Sequence, residues 1–397
     1  MNKATRALLV AFMYSVPGLA LVGNWAPASG AAAVKVENKA LADAVNEMNS
    51  LERAGNLAGA LAKAKEVDAI PGKPAQLTRD IHNKILALSI SAKDYPSALA
   101  QIDKMVAANE GNKQELLGNA LAISLQSNNK AAADKYQQAL GGNIPASTRL
   151  FIADGMRKSK QYKEALDQVQ PLMQVEKPTE DTLRFVVATN FEMGNAAGRR
   201  AALEQLVLFY GKPGDWHDLL QLARNEKGLN DQQKMDIMRL RLAVGDVKSD
   251  ADFIDMAQQA MVANYNNEAK QILDKGTQAK VLNGERAARL VKKANDDAAK
   301  DSALEADLQA KAKMDAGAGA NLGLILWSYG KNKEAEDAIR QAMTVKAGDV
   351  ESTKLALGHV LLAQGKKPEA AQTFGSVARN NSWAGIGRLW SIYARRG

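Results

Sequence analysis

Cysteine is absent from all 397 residues. That removes disulfides, thiolate zinc sites, Fe–S clusters and thiol catalysis together. It also removes the lipid-bearing cysteine that follows a lipoprotein signal. Proline (10 residues) and aromatics (5%) are scarce, and runs of Val, Ile and Thr are few, so a β-sandwich or barrel is not expected. The three histidines, His82, His217 and His359, are far apart and form no His-x-x-His or His-Glu-x-x-His pattern. No metal site and no cofactor are expected, and surface or groove-lining positions are the default for all three. Like charges form no block. Lys and Arg alternate with Asp and Glu along most segments, as on solvated helix faces, and no nucleic-acid-binding arm is present.

What is there is alanine, with 46% hydrophobic and 24% charged residues, enough apolar content for a sizeable core. The formal charge is +8, of which Lys3 and Arg6 carry two. This mild excess would give a weak attraction to acidic envelope polymers.

The first segment, "MNKATRALLVAFMYSVPGLALVGNWAPASGAAA", has a short basic start, an apolar run and small residues at two processing positions. Residues 1–33 read as a secretory signal peptide cut at Ala28 or Ala33, a retained anchor being the alternative. No later stretch is long or apolar enough to span a membrane. The expectation is a periplasmic or secreted protein without a transmembrane segment after processing.

Two stretches near the end repeat each other. "LGLILWSYGKNKEAEDAIRQAM" begins at Leu322 and "LGHVLLAQGKKPEAAQTFGSVA" begins at Leu357. Gly323 and Gly358 would let a neighbouring helix approach, and Gly330 and Gly365 would end a helix in a left-handed turn. Ala335 and Ala370 would be small where two helices cross. Ile339 and Phe374, four residues on and so on the same face, would fill the gap. Worn copies recur upstream: Ala98, Ile102 and Met105; Ala132 and Tyr136; Ala165 and Val169; Ala202 and Leu206; Ala269 and Leu273. The intervening turns fall at positions 55, 93, 127, 160 and 194, at intervals of 33 to 38 residues.

This pattern resembles the tetratricopeptide repeat. The resemblance implies an all-α fold, an α-α superhelix of antiparallel helix pairs, closed by a C-terminal capping helix. That helix lies in "NNSWAGIGRLWSIYARRG", with Ser382 expected as its cap and Trp383, Ile386, Leu389, Trp390 and Tyr393 on one stripe. The expected division is 36–210 for N-terminal repeats, 211–314 for diverged helical repeats, and 315–397 for a repeat pair plus the cap.

The family's first helices line an inner wall that holds a protein or peptide. Carried onto this sequence, the groove positions are Asn83, Asp154, Arg157, Arg184, Phe191, Gln258, Trp327 and His359, with Arg184, Phe191 and Trp327 foremost because Arg and aromatics dominate binding hot spots. No catalytic residues are expected. "DAGAGANLG" lacks the strand that a dinucleotide loop needs and reads as an inter-helix loop. "NDDAAKD" lacks the glycine and final glutamate of a calcium loop. "PGDWHD" is the one place to probe for a site, with Asp215 expected to cap a helix and Trp216 to pack inward.

Three functions are open at this point. The first is a non-enzymatic exported scaffold for a protein or peptide in envelope assembly or secretion. The second is a module that associates with polysaccharide or peptidoglycan through its basic surface. The third is an enzyme sited in the irregular central segment.

Overall fold

The computed structural model describes residues 39–396; the signal-peptide reading of 1–33 lies outside them. Among the described residues there are α-helices and no strand. They divide into two compact units, one ending at Pro178 and one beginning at Thr179.

The first unit holds four hairpins: α1 (Lys39–Arg53) with α2 (Leu57–Ala69), α3 (Ala75–Ser91) with α4 (Tyr95–Ala107), α5 (Lys113–Gln126) with α6 (Lys130–Leu140), and α7 (Ala146–Lys158) with α8 (Tyr162–Met173). Short polar side chains begin many of these helices. Asn56, Asp94, Asn112 and Asn129 each accept a backbone N–H from the first turn, satisfying donors that a helix start leaves open. Within each pair the turn residue is left-handed: Gly55 (φ 75°), Lys93 (60°), Asn128 (55°) and Lys160 (62°). The third lies one residue beyond position 127, where spacing alone puts it. Side chains at Lys93 and Lys160 bear the Cβ crowding that glycine avoids.

The core of this unit follows the small-then-bulky pattern. Ala98, Ile102, Ala165 and Val169 are fully buried, and Tyr136 is buried with its hydroxyl on Asp103 at 3.1 Å. His82 is not at the surface. It is 3% exposed, with Nδ1 2.6 Å from Glu110 and Nε2 3.1 Å from Asp68.

The second unit runs through α9 (Glu180–Glu192), α10 (Ala196–Phe209), α11 (Pro213–Arg224), α12 (Asp231–Ala243), α13 (Asp250–Val262), α14 (Asn266–Gln278), α15 (Gly284–Ala298), α16 (Asp301–Lys311), α17 (Ala316–Ser328), α18 (Asn332–Ala342), α19 (Val350–Ala363), α20 (Lys367–Gly375) and α21 (Ala384–Arg396). A Cβ added at Gly323 would run into Ile339, and one at Gly358 into Phe374. Ala335, Ile339, Ala370 and Phe374 are fully buried. The glycines of "DAGAGANLG" are helical, not a loop: Asp315 caps α17 by accepting the N–H of Ala318. Gly319 sits where a Cβ would strike Ala342, so close packing outweighs the helix cost of glycine.

The last helix turns back on the unit's beginning. Arg388 pairs with Glu204 at 2.9 Å, Arg396 donates to the Val207 carbonyl at 3.2 Å, and Tyr393 meets Trp216 edge-on at 6.4 Å. Trp383, Ile386, Leu389 and Trp390 are buried. Ser382 does not cap α21: its hydroxyl accepts from Gln233, while Asn381 takes the N–H of Trp383. Because α21 grips α10, the hairpin α9–α10 belongs with the C-terminal half. The compact boundary therefore lies at 178/179, whereas the sequence reading divides the chain at 210 and 314.

Candidate partner-binding groove

Helix α12 sits in the interior of the second unit. Gln233 and every residue from Met235 to Arg241 are buried, as expected of a helix covered on all sides. Yet it carries Asp236, Arg239 and Arg241, so each charge must find a partner. Arg239 grips Glu268 through Nε (2.8 Å) and Nη2 (2.7 Å), and reaches Asp236 through Nη1 at 2.9 Å. Asp236 also lies 2.7 Å from Nε2 of His359. The Arg239 guanidinium lies over Tyr265 at 4.9 Å and Trp327 at 5.9 Å. His359 stacks on Trp327 at 6.0 Å and meets Trp390 edge-on at 4.5 Å.

Burial works against the charges of Asp236 and Arg239, but their ion pairs outweigh it. Asp236 is held below the usual carboxylate range by Arg239 and His359. Arg239 is held well above the ordinary guanidinium value, chiefly by Glu268. Burial lifts the Tyr265 phenol to about 12. Gln232 adds a hydrogen bond to Asn321 at 3.0 Å, and Tyr265 another at 2.7 Å.

Gln232, Asp236 and Arg239 are spaced i, i+4, i+7 and share one helical face. Trp327, Asn321 and His359, on the first helices of their pairs, therefore face this chain's own helix α12. His359 is 3% exposed, which corrects the expectation of an open groove residue. Its wall is already occupied by helix α12 of the same chain.

Open space remains where α9, α10 and α11 meet. A hollow of about 210 Å³ is lined by Val187, Ala188, Leu203 and Leu206, with Arg184, Phe191, Arg199, Asp215 and Asp218 around it. Phe191 is 64% exposed, and the Arg199 guanidinium lies over its ring at 4.8 Å. Arg184 donates to both oxygens of Asp215 (3.0 and 3.2 Å) and to Glu180 at 2.7 Å. Partial burial opposes the Arg184 charge, but those bonds keep its pKa above the ordinary value. Asp215, 4% exposed, is thus the anchor of Arg184; Lys212 is the N-cap residue of α11, with no side-chain cap bond.

Of the eight positions expected along the groove, Arg184 and Phe191 come together in this hollow. Asn83 is exposed on α3, and Gln258 is exposed on α13. On α7, Asp154 and Arg157 pair with each other at 2.8 Å. In "PGDWHD", Trp216 packs inward at 5% exposure, while His217 is bound to Asp246 at 2.7 Å, so the two have separate surroundings. Arg199, Leu203 and Leu206 were not anticipated as lining. Their signal is faint: Leu206 was read only as a bulky core residue following Ala202.

Paired helices recur at the repeat spacing seen in the sequence; a left-handed residue joins most pairs, and an alanine with a bulky residue four positions on fills crossings such as Ala98–Ile102, Ala165–Val169, Ala335–Ile339 and Ala370–Phe374. The fold is an array of antiparallel helical hairpins with tetratricopeptide-like spacing. No family model matches it, and no curated protein matches it. Among solved structures, this tetratricopeptide-like chain is similar to one described as Naa15/Naa10 bound to HypK-THB: identity 13%, TM-score 0.33, 85% of this chain and 58% of that one. The APC/C hetero-tetramer Cut9-Hcn1 gives 12% identity and a TM-score of 0.21, over 85% of this chain and 66% of that one. A tetratricopeptide repeat protein from Parabacteroides merdae gives 11% identity and a TM-score of 0.23, over 91% of this chain and 100% of that one. The chain thus spans less than two thirds of the length of the first two.

Proposed function

We propose that this chain is a non-enzymatic scaffold that holds a segment of a partner protein in the hollow between α9, α10 and α11. The observation that carries the reading is the contrast within the second unit. Around α12 the inner-facing side chains are spent on the molecule's own helix, while at the hollow a large aromatic stays exposed, with a half-buried guanidinium over its ring, beside an apolar floor. An aromatic–Arg pair over an apolar floor is the composition of a binding hot spot. The basic, apolar and small-residue order of segment 1–33 supports placing the scaffold outside the cytoplasm, in the periplasm or secreted, with a role in envelope assembly or secretion.

A photoactivatable phenylalanine analogue in place of Phe191 tests this, with the same analogue at Val262, which is 70% exposed on α13, as the control. Irradiation in the producing cell should crosslink a discrete protein from position 191 that is missing from 262. Identical patterns from both positions would remove the hollow as the partner site.

A further inference from the structure

The two guanidinium groups at the hollow differ in how they are spent. Arg184 is saturated by Asp215 and Glu180, and Glu180 is further held by Lys212 at 2.5 Å. The nearest carboxylate to Arg199 is that of Asp218, at 3.9 Å and half-exposed, too far for a hydrogen bond. Its Nε–H is covered from solvent and has no acceptor. With its Nε–H covered, the guanidinium offers an incoming acceptor its Nη groups, which no carboxylate occupies within hydrogen-bond distance. The face of the same guanidinium is already fixed on the Phe191 ring, so its edge is oriented before any guest arrives. Beneath it, Leu203 and Leu206 floor a space about the size of one large side chain.

Resting on the reading of the hollow as the partner site, we propose that the guest is an extended protein segment carrying an aspartate or glutamate two residues from a leucine-sized apolar residue. In an extended chain, residues two apart point to the same side. One side chain then enters the hollow while the carboxylate meets Arg199. Arg184 neutralises Asp215, and the half-exposed Asp218 is screened by water and by Arg199 itself, 3.9 Å away.

The probes are two acetylated, amidated, fluorescein-labelled peptides, Gly-Leu-Ser-Glu-Ser-Leu-Gly and the same peptide with Lys for Glu. Their polarisation is measured with the full chain, with Arg199→Gln, and with Ala188→Phe, which fills the hollow. The Glu peptide should bind about tenfold tighter than the Lys peptide. Arg199→Gln should erase that preference, and Ala188→Phe should weaken both peptides. If both peptides bind the wild type equally and Ala188→Phe still weakens them, the acidic guest is overturned while the hollow stands as a site. If Ala188→Phe alters neither, the hollow falls as well. Absence of binding by either peptide at millimolar concentration overturns the acidic guest, and the crosslinking at position 191 then decides the hollow separately. Circular dichroism checks the fold of each variant, and Phe191→Ala takes the place of Ala188→Phe if that chain does not fold.

Discussion

His359 on α19 and Asp236 on α12, 123 positions apart in the chain, meet through Nε2 and Oδ1 at 2.7 Å, both side chains almost wholly buried. This contact ties the last repeat to the helix inside the second unit. It also means that a residue expected to face a guest faces the protein itself.

Removing one partner of such a buried set should cost far more than the set contributes. Asp236→Ala leaves Arg239 with Glu268 alone and strips His359 of its hydrogen bond. We expect a loss of about 3–5 kcal/mol, read from urea unfolding. Four of the five tryptophans, Trp216, Trp327, Trp383 and Trp390, lie in the second unit, so tryptophan fluorescence reports mainly on it. A loss below about 1 kcal/mol would show that water compensates the cluster.

Acid should act through the same carboxylate. The Asp236 pKa is depressed in the folded chain, so its contribution is present above the unfolded value of about 3.9 and is lost as pH falls through the folded value. Glu336 behaves alike: burial would raise it, but hydrogen bonds from Gln364, Arg340 and Lys366 bring it down to about 2. Stability should therefore fall below about pH 4, and Asp236→Asn should flatten part of that limb. Equal acid slopes for the two chains would contradict the assignment.

Gly358 and Phe374 should be coupled. Gly358→Ala pushes a methyl group into the Phe374 ring and should cost about 1–3 kcal/mol. Phe374→Ala empties a fully buried site and should cost about 3–5 kcal/mol. The double variant should be more stable than the sum of the two losses predicts, because the new methyl then enters vacated space. Strict additivity in thermal or urea melts would mean that the two do not touch.

Arg184 and Phe191 should separate in their effects. Arg184→Ala leaves Asp215 buried without its donor and should lower stability by about 1–3 kcal/mol. Phe191→Ala removes a ring that is mostly in water, should change stability by less than about 0.5 kcal/mol, and should weaken peptide binding. The check is one urea curve and one binding curve for each variant; the reverse order of effects would reassign the hollow.

The helical hairpins were legible in the sequence because their packing is short-ranged. Gly323 answers Ile339 and Gly358 answers Phe374 within one repeat, so small and bulky residues at fixed offsets are enough to define the crossing. Only the tertiary structure decided where α12 and α21 lie. In the sequence, α12 carries Asp236, Arg239 and Arg241 among its apolar residues. Its burial depends on Glu268 and His359 arriving from distant helices, and on Asp246 in the following loop and Asp252 on α13, to meet those charges. The return of α21 depends likewise on Arg388 finding Glu204 across 184 positions. Such pairings have no period, so no local pattern announces them. They fill the inner wall around α12 and leave the hollow at Phe191 open.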